Sequence, residues 1–133
     1  MRAMTNHRPC VLVADDNDDI RWLMVKALSG DGYDVIEARD GREVLEAVTG
    51  SRRAPDVIVL DVQMPEINGL ALLAGLRSGG WMMPIIVITA YGAARLRNHA
   101  ERMGATALFG KPFELHDLRM AVMNSLRSLS AGG

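Results

Sequence analysis

Five residues stand where apolar runs end and side chains could do chemistry. Asp15 and Asp16 follow the run Cys10 to Ala14, Asp61 follows Val57 to Leu60, Thr89 closes Ile85 to Thr89, and Lys111 lies just beyond Thr106 to Phe109. Three carboxylates brought together repel one another, and burying them unpaired is costly, so a pocket built from them calls for a cation at neutral pH. Oxygen ligands favour Mg²⁺, with Mn²⁺ as a substitute, over Zn²⁺. No Cys/His cluster competes for a metal: His7, His99 and His116 are far apart in sequence and suit surface positions, and the lone Cys10 reads as a small core residue. A cation beside a carboxylate, a hydroxyl and an ammonium matches phosphoryl transfer, which needs charge neutralisation and an in-line nucleophile. Asp61, on the central run, is best placed to attack. Of the fifteen basic residues only Lys26 and Lys111 are lysines, and a compact ammonium suits a single phosphoryl oxygen. Thr89 alone is an ordinary strand residue, and Asp18 and Asp19 read as favourable acids of a first helical turn.

Positioning these residues at one edge requires a particular set of elements. Five runs rich in Val, Ile or Leu (Cys10 to Ala14, Tyr33 to Ala38, Val57 to Leu60, Ile85 to Thr89, Thr106 to Phe109) alternate with helix-like segments, which argues for βα units around a parallel sheet. Three of the runs are apolar without a break, as strands covered on both faces should be. Ile20, Leu23 and Ala27, then Val44, Leu45 and Val48, then Leu70, Leu73 and Leu76 have helical spacing, each set predicting an apolar stripe on the sheet. Asp40 three residues before Glu43 suggests a capping box, glycines 30, 32, 79 and 80 suit helix ends, and Pro84 starts the fourth strand. A last helix from about Glu114 to Leu129 would gather Leu115, Leu118, Val122, Leu126 and Leu129 in one sector. The expected fold is an α/β three-layer sandwich of (βα)₅ type. Residues 1–8 are expected to be disordered or extended, 9–129 to form the domain, and 130–133 to fray. In such sheets the functional crevice lies beyond the carboxyl ends of the strands, where all five residues fall.

The chain has 133 residues, a formal net charge of −1 and 49% hydrophobic residues, enough for one domain with a full core. No apolar run reaches the ~18 residues of a membrane span, and Met1 to Pro9 is not followed by a signal-peptide stretch. The expected location is therefore the cytoplasm, with no membrane partner. Thirteen acids against nine Lys or Arg in residues 1–90, and three against six in 91–133, put the positive end at the C-terminus. No basic helix-turn-helix segment is visible, so direct nucleic-acid binding is not expected.

Taken together, Val11-Leu12-Val13-Ala14-Asp15-Asp16, Asp61-Val62-Gln63-Met64-Pro65 through Asn68-Gly69, Ile88-Thr89-Ala90 and Lys111-Pro112-Phe113 resemble, in order and spacing, the response-regulator receiver family of two-component signalling. The match spans about residues 9–129. The resemblance implies a flavodoxin-like sheet of order 2-1-3-4-5 and a cis peptide between Lys111 and Pro112. It implies that Asp61 is the phosphoacceptor, that Asp16, Asp61 and the Gln63 backbone carbonyl bind Mg²⁺ with Asp15 helping through water, and that Thr89 and Lys111 hold the phosphoryl oxygens. Gln63 and Tyr91 would flank the path of the hydrolytic water and tune the phosphorylated lifetime. The donor would be a phosphohistidine of a histidine kinase or phosphotransfer protein. The output would be a surface of the fourth helix, fifth strand and fifth helix for an effector or a phosphorylation-dependent dimer.

One position departs from the family pattern. Leu108 stands where an inward-turning Tyr or Phe is usual, so the switch is expected to run through Thr89 and the loop after it. Phe109, the neighbouring ring, should point to the opposite side of its strand. Trp22 is expected on the exposed side of the first helix as a possible partner anchor, and Met120 and Met123 with Arg95, Arg97 and Arg102 on the last two helices as a mixed apolar and basic face. Such a protein would catalyse its own phosphorylation and dephosphorylation without being a turnover enzyme. A stand-alone phosphoacceptor is the leading reading, the receiver piece of a longer DNA-binding regulator the second. An aspartate-nucleophile phosphohydrolase is the third, although Gln63 occupies the place of its second Asp.

Overall fold

The computed structural model describes residues 8–50, 53–64 and 67–132, and side chains through residue 128. Pro65 and, of the segment 1–8 expected to be disordered or extended, residues 1–7 with His7 lie outside the described residues. Strands β1 (Cys10–Ala14), β2 (Asp34–Ala38), β3 (Val57–Asp61), β4 (Ile85–Thr89) and β5 (Ala107–Gly110) alternate with helices α1 (Asp18–Gly30), α2 (Gly41–Thr49), α3 (Gly69–Ser78), α4 (Ala93–Arg102) and α5 (Leu115–Gly132). Tyr33 falls in the turn before β2, Asp61 is the last residue of β3 itself, and β5 is shifted to include Gly110 and leave out Thr106. The last helix continues past Leu129, the end expected from its apolar sector.

All neighbouring strands are parallel, in the order β2-β1-β3-β4-β5. Every residue of β1, β3 and β4 is buried, because unbroken Val/Ile/Leu runs let a parallel strand face helices on both sides. Alternation along the strands divides the core. Leu12, Ile58, Leu60, Ile85, Val87 and Leu108 pack with Val44 and Val48 of α2, Leu72, Leu73 and Leu76 of α3 and Ala100 of α4. Val11, Val13, Val57, Val59, Ile86 and Ile88 pack on the other face with Met24 and Leu28 of α1 and Leu118 and Val122 of α5. Leu108 and Phe109 fall on opposite faces, as the period of two requires.

Three helical stripes differ from expectation. On α1 the buried residues are Arg21, Met24 and Leu28, while Leu23 is exposed. Met24 and Leu28 reach deeper into the core than Leu23, and an arginine that finds partners can accompany them. On α2 Gly41, Val44 and Val48 are buried and Leu45 is exposed; on α3 Leu72 joins Leu73 and Leu76, with Leu70 only half-buried. In each case the sheet covers one sector of a helix that carries more apolar residues than one face can hold.

Side-chain oxygens cap the starts of α1, α2 and α3. Asn17 accepts from the Ile20 amide at the start of α1, and Asn68 accepts from the Leu70 and Ala71 amides at α3. Asp40 accepts from the Glu43 amide, while Glu43 reaches back to the amide of Arg39, one residue before the cap. The Lys111–Pro112 peptide is cis.

Candidate functional site

The strand order reverses between β1 and β3, so the crevice at their carboxyl ends is open to a ligand; Asp15, Asp16, Asp61 and Lys111 meet there, and Thr89 ends the neighbouring strand β4. Asp15 directly follows β1 and is fully buried; Asp61 ends β3 and is nearly so; Asp16, beside Asp15, is exposed. One carboxylate oxygen from each of Asp15, Asp16 and Asp61 lies within 4.8 Å of the others. Lys111, carried in by the turn after β5, sets its Nζ 3.0 Å from Asp15 Oδ2 and 3.2 Å from Asp61 Oδ2.

Two local hydrogen bonds hold the carboxylates. Asp15 Oδ1 accepts from the Asn17 amide at 2.9 Å and Asp61 Oδ1 from the Gln63 amide at 2.9 Å. Asp15 Oδ2 is buried with no hydrogen-bonding group aligned on it, although the Lys111 ammonium is close. Burial pushes the Asp15 carboxyl above its ordinary range, and the Asp61 charge adds to this, against the Asn17 amide and Lys111. Burial works against the Lys111 charge, but its ion pair with Asp15 and its contact with Asp61 leave its affinity for a proton above the ordinary value. A buried oxygen without an aligned partner, in a cluster of three carboxylates against one ammonium, fits a small oxygen-seeking dication, whose ligands sit about 3 to 4 Å apart. The cluster could hold such a metal ion.

Thr89, buried at the end of β4, donates its hydroxyl to the Tyr91 carbonyl at 2.8 Å and accepts from the Tyr91 amide at 3.2 Å. The Tyr91 ring is largely exposed. The side chain of Gln63 crosses to the loop after β4 and accepts from the Ala90 amide. This contact was not foreseen, because nothing in sequence spacing tells which of two loops a glutamine will span. Arg21 was also missed: its guanidinium donates to the Asp15 carbonyl at 2.8 Å. The available signal was a stripe drawn through Met24 and Leu28, which turns Arg21 inward.

Next to the pocket, Ile20, Leu23, Met24, Pro112, Phe113 and Leu115 line an apolar groove that also touches Lys111 and Ala90. Trp22 is 57% exposed, with Lys26 Nζ 4.9 Å from its ring centroid. The mixed face expected on α4 and α5 is divided. Met120 and Met123 line a groove with Asp31, Tyr33, His116 and Arg119 near the end of α1, whereas Arg95, Arg97 and Arg102 sit on α4, across the edge strand. Arg97 is moreover engaged, donating to the Leu108 carbonyl at 3.2 Å. The two helices pack on opposite faces of the sheet, which sequence periodicity within each helix does not reveal.

A parallel five-stranded sheet with acidic residues and a lysine at its switch point places the chain in the doubly wound α/β class. The sequence matches the family "Response regulator receiver domain" over residues 11–123, and the chain belongs to that family: it is a receiver domain of a two-component response regulator. It is 40% identical over 116 residues to the response regulator MprA of Mycolicibacterium vanbaalenii, covering 87% of this chain and 49% of that protein. It is 36% identical over 110 residues to the DNA-binding transcriptional regulator NtrC of Escherichia coli, covering 83% of this chain and 23% of that protein. The chain thus spans about half or less of the length of these relatives. Among solved structures it is similar to the receiver domain of the Francisella response regulator 1452, with a TM-score of 0.83, 30% identity and coverage of 91% and 99% of the two chains. The receiver domain of NtrX from Brucella abortus gives 0.81, 31%, 88% and 98%. Among the described residues no helix is long and apolar enough to cross a membrane.

Proposed function

We propose that this chain takes a phosphoryl group onto Asp61 from the phosphohistidine of a histidine kinase or histidine phosphotransfer protein. The observation that carries this reading is the meeting of Asp15, Asp16 and Asp61 oxygens within 4.8 Å, with the Lys111 ammonium against two of them. A carboxylate oxygen of Asp61 forms the bond to phosphorus as the phosphorus–nitrogen bond breaks, and the electron pair leaves on the donor imidazole. Asp16, Asp61 and the Gln63 backbone carbonyl would hold Mg²⁺, or Mn²⁺, with Asp15 acting through water; the ion would neutralise charge on the transferring oxygens. Lys111, whose Nζ is 3.2 Å from Asp61 Oδ2, would hold a phosphoryl oxygen on Asp61. Thr89 must exchange its bond to Tyr91 for one to the phosphoryl group, which couples the chemistry to the loop before α4. Gln63 and Tyr91 would tune the lifetime of the phosphorylated state, and Leu108 would take no part as a moving ring.

The donor protein would dock on the α1 side, where the apolar groove beside the pocket and exposed Trp22 offer contact area. The α4 surface with Arg95 and Arg102 would face the effector or a second phosphorylated copy, with Met120 belonging to a separate patch. Residues 9–129 form the receiver unit of a cytoplasmic protein in this reading. The coverage of MprA and NtrC favours a second reading of its context, in which the unit serves a longer regulator whose other part contacts DNA; the length of the gene decides between them.

Incubation with acetyl phosphate or phosphoramidate and Mg²⁺ tests the chemistry. The parent should gain one phosphoryl group by intact-mass spectrometry and Asp61→Asn none. Equal labelling of both proteins contradicts the assignment.

A further inference from the structure

Arg21 is more than nine-tenths buried, and all three guanidinium nitrogens are engaged. Nε donates to Glu37 Oε1 at 2.9 Å, Nη2 to Asp18 Oδ1 at 2.6 Å, and Nη1 to the main-chain carbonyl of Asp15 at 2.8 Å. The two carboxylates are 51% and 80% exposed, so pairing with them alone would let the arginine stay at the surface. Burying a guanidinium is costly unless its donors are met, and the fully buried contact is the one to Asp15. That carbonyl belongs to the peptide linking Asp15 to Asp16. The Asp15 amide is tied to the Ala38 carbonyl at 3.1 Å, and its side chain accepts from the Asn17 amide. Arg21 completes the grip from the carbonyl side and anchors it to β2 through Glu37, which lies opposite Val13 in the sheet.

We infer that Arg21 is a positioning residue for the divalent-cation pocket, fixing the Asp15–Asp16 peptide so that both carboxylates face Asp61, while supplying no ligand itself. The inference rests on the reading of the acidic cluster as a Mg²⁺ site. It has an unusual sign. A positive charge near a cation site weakens binding by simple Coulomb repulsion, so an arginine acting only through its charge would tighten Mg²⁺ binding when removed. An arginine acting by position does the opposite.

Calorimetric titration of Mg²⁺ into the full chain separates these effects in the parent, Arg21→Lys and Arg21→Met, with thermal unfolding recorded for each. Lysine keeps the charge but cannot span three acceptors in a planar fork. Both variants should bind Mg²⁺ about tenfold more weakly than the parent, a typical loss when the support of a metal ligand is removed. A purely structural arginine would lower the melting temperature and leave the dissociation constant of the folded protein unchanged. Where Arg21→Met does not fold, Arg21→Lys decides. Parent-like affinity in Arg21→Lys, or tighter binding in Arg21→Met, overturns the inference alone; no binding by the parent overturns the cation reading beneath it.

Discussion

Lys111 lies between two buried carboxylates, and its removal would leave both without their ammonium. The lysine itself is raised above its ordinary affinity for protons, so its contribution to stability is fully present below the ordinary lysine pKa. It is lost only as pH rises through the folded value, and is constant across neutral pH. Asp15 works in the other direction. Burial raises its carboxyl, so its contribution is present below the ordinary carboxylate range and declines as pH rises through the raised value. Lys111→Met should therefore lose about 3 kcal/mol of stability at pH 7 in metal-free buffer, as when one partner of a buried pair is deleted. It should regain part of this on acidification as Asp15 takes a proton, and should not be labelled by acetyl phosphate. Urea unfolding at neutral and mildly acidic pH measures the first two outcomes; a midpoint unchanged from the parent at pH 7 would show that the pair contributes nothing.

Among the elements, α3 begins directly against the chain that leaves β3. Its first residue, Gly69, lies under the chain leaving β3: a Cβ built there would come within 2.3 Å of the Val62 Cα, a backbone atom that cannot step aside. The Gly69 amide also donates to the Val62 carbonyl at 3.2 Å, and Val62 follows Asp61 directly. Gly69→Ala should force the 61–64 segment outward, costing about 1 to 3 kcal/mol as an overpacked contact does, and slow phosphoryl acceptance at Asp61. Gly75→Ala, on the same helix with open space around it, is the matched control and should be neutral or slightly stabilising. Equal acceptance rates in the two variants would mean that the entry of α3 does not control the loop.

Across the whole molecule, an ion pair joins parts of the chain far apart in sequence. Two donors of the Arg119 fork on α5 reach Asp31, which caps the end of α1: Nε to Oδ2 at 2.9 Å and Nη2 to Oδ1 at 2.8 Å. The Arg119 hydrogen bond holds the Asp31 carboxyl below its ordinary value. A carboxyl lowered on folding contributes stability above its unfolded pKa, near pH 4, and loses it as pH falls through the folded value. Arg119→Gln should flatten the decline of stability below about pH 4, measured by denaturant unfolding at stepped acidic pH. An acid limb identical to that of the parent would place its origin elsewhere.

The parallel sheet, the burial of its three central strands and the place of five residues at the ends of four strands were legible in the sequence. Unbroken Val/Ile/Leu runs and strand-end polarity are local signals that survive any arrangement of the helices. The sequence also placed Leu108 and Phe109 on opposite faces, since the strand period is two. Tertiary structure alone decided which sector of each helix is buried: α1 turned Arg21, Met24 and Leu28 inward and left Leu23 at the rim of the groove, because several sectors were apolar enough and only the sheet could choose. The same choice took Arg21 to the Asp15 carbonyl, sent Gln63 across to Ala90 and parted Met120 from the α4 arginines. Those contacts depend on distances between elements, and residue spacing within one element does not contain them.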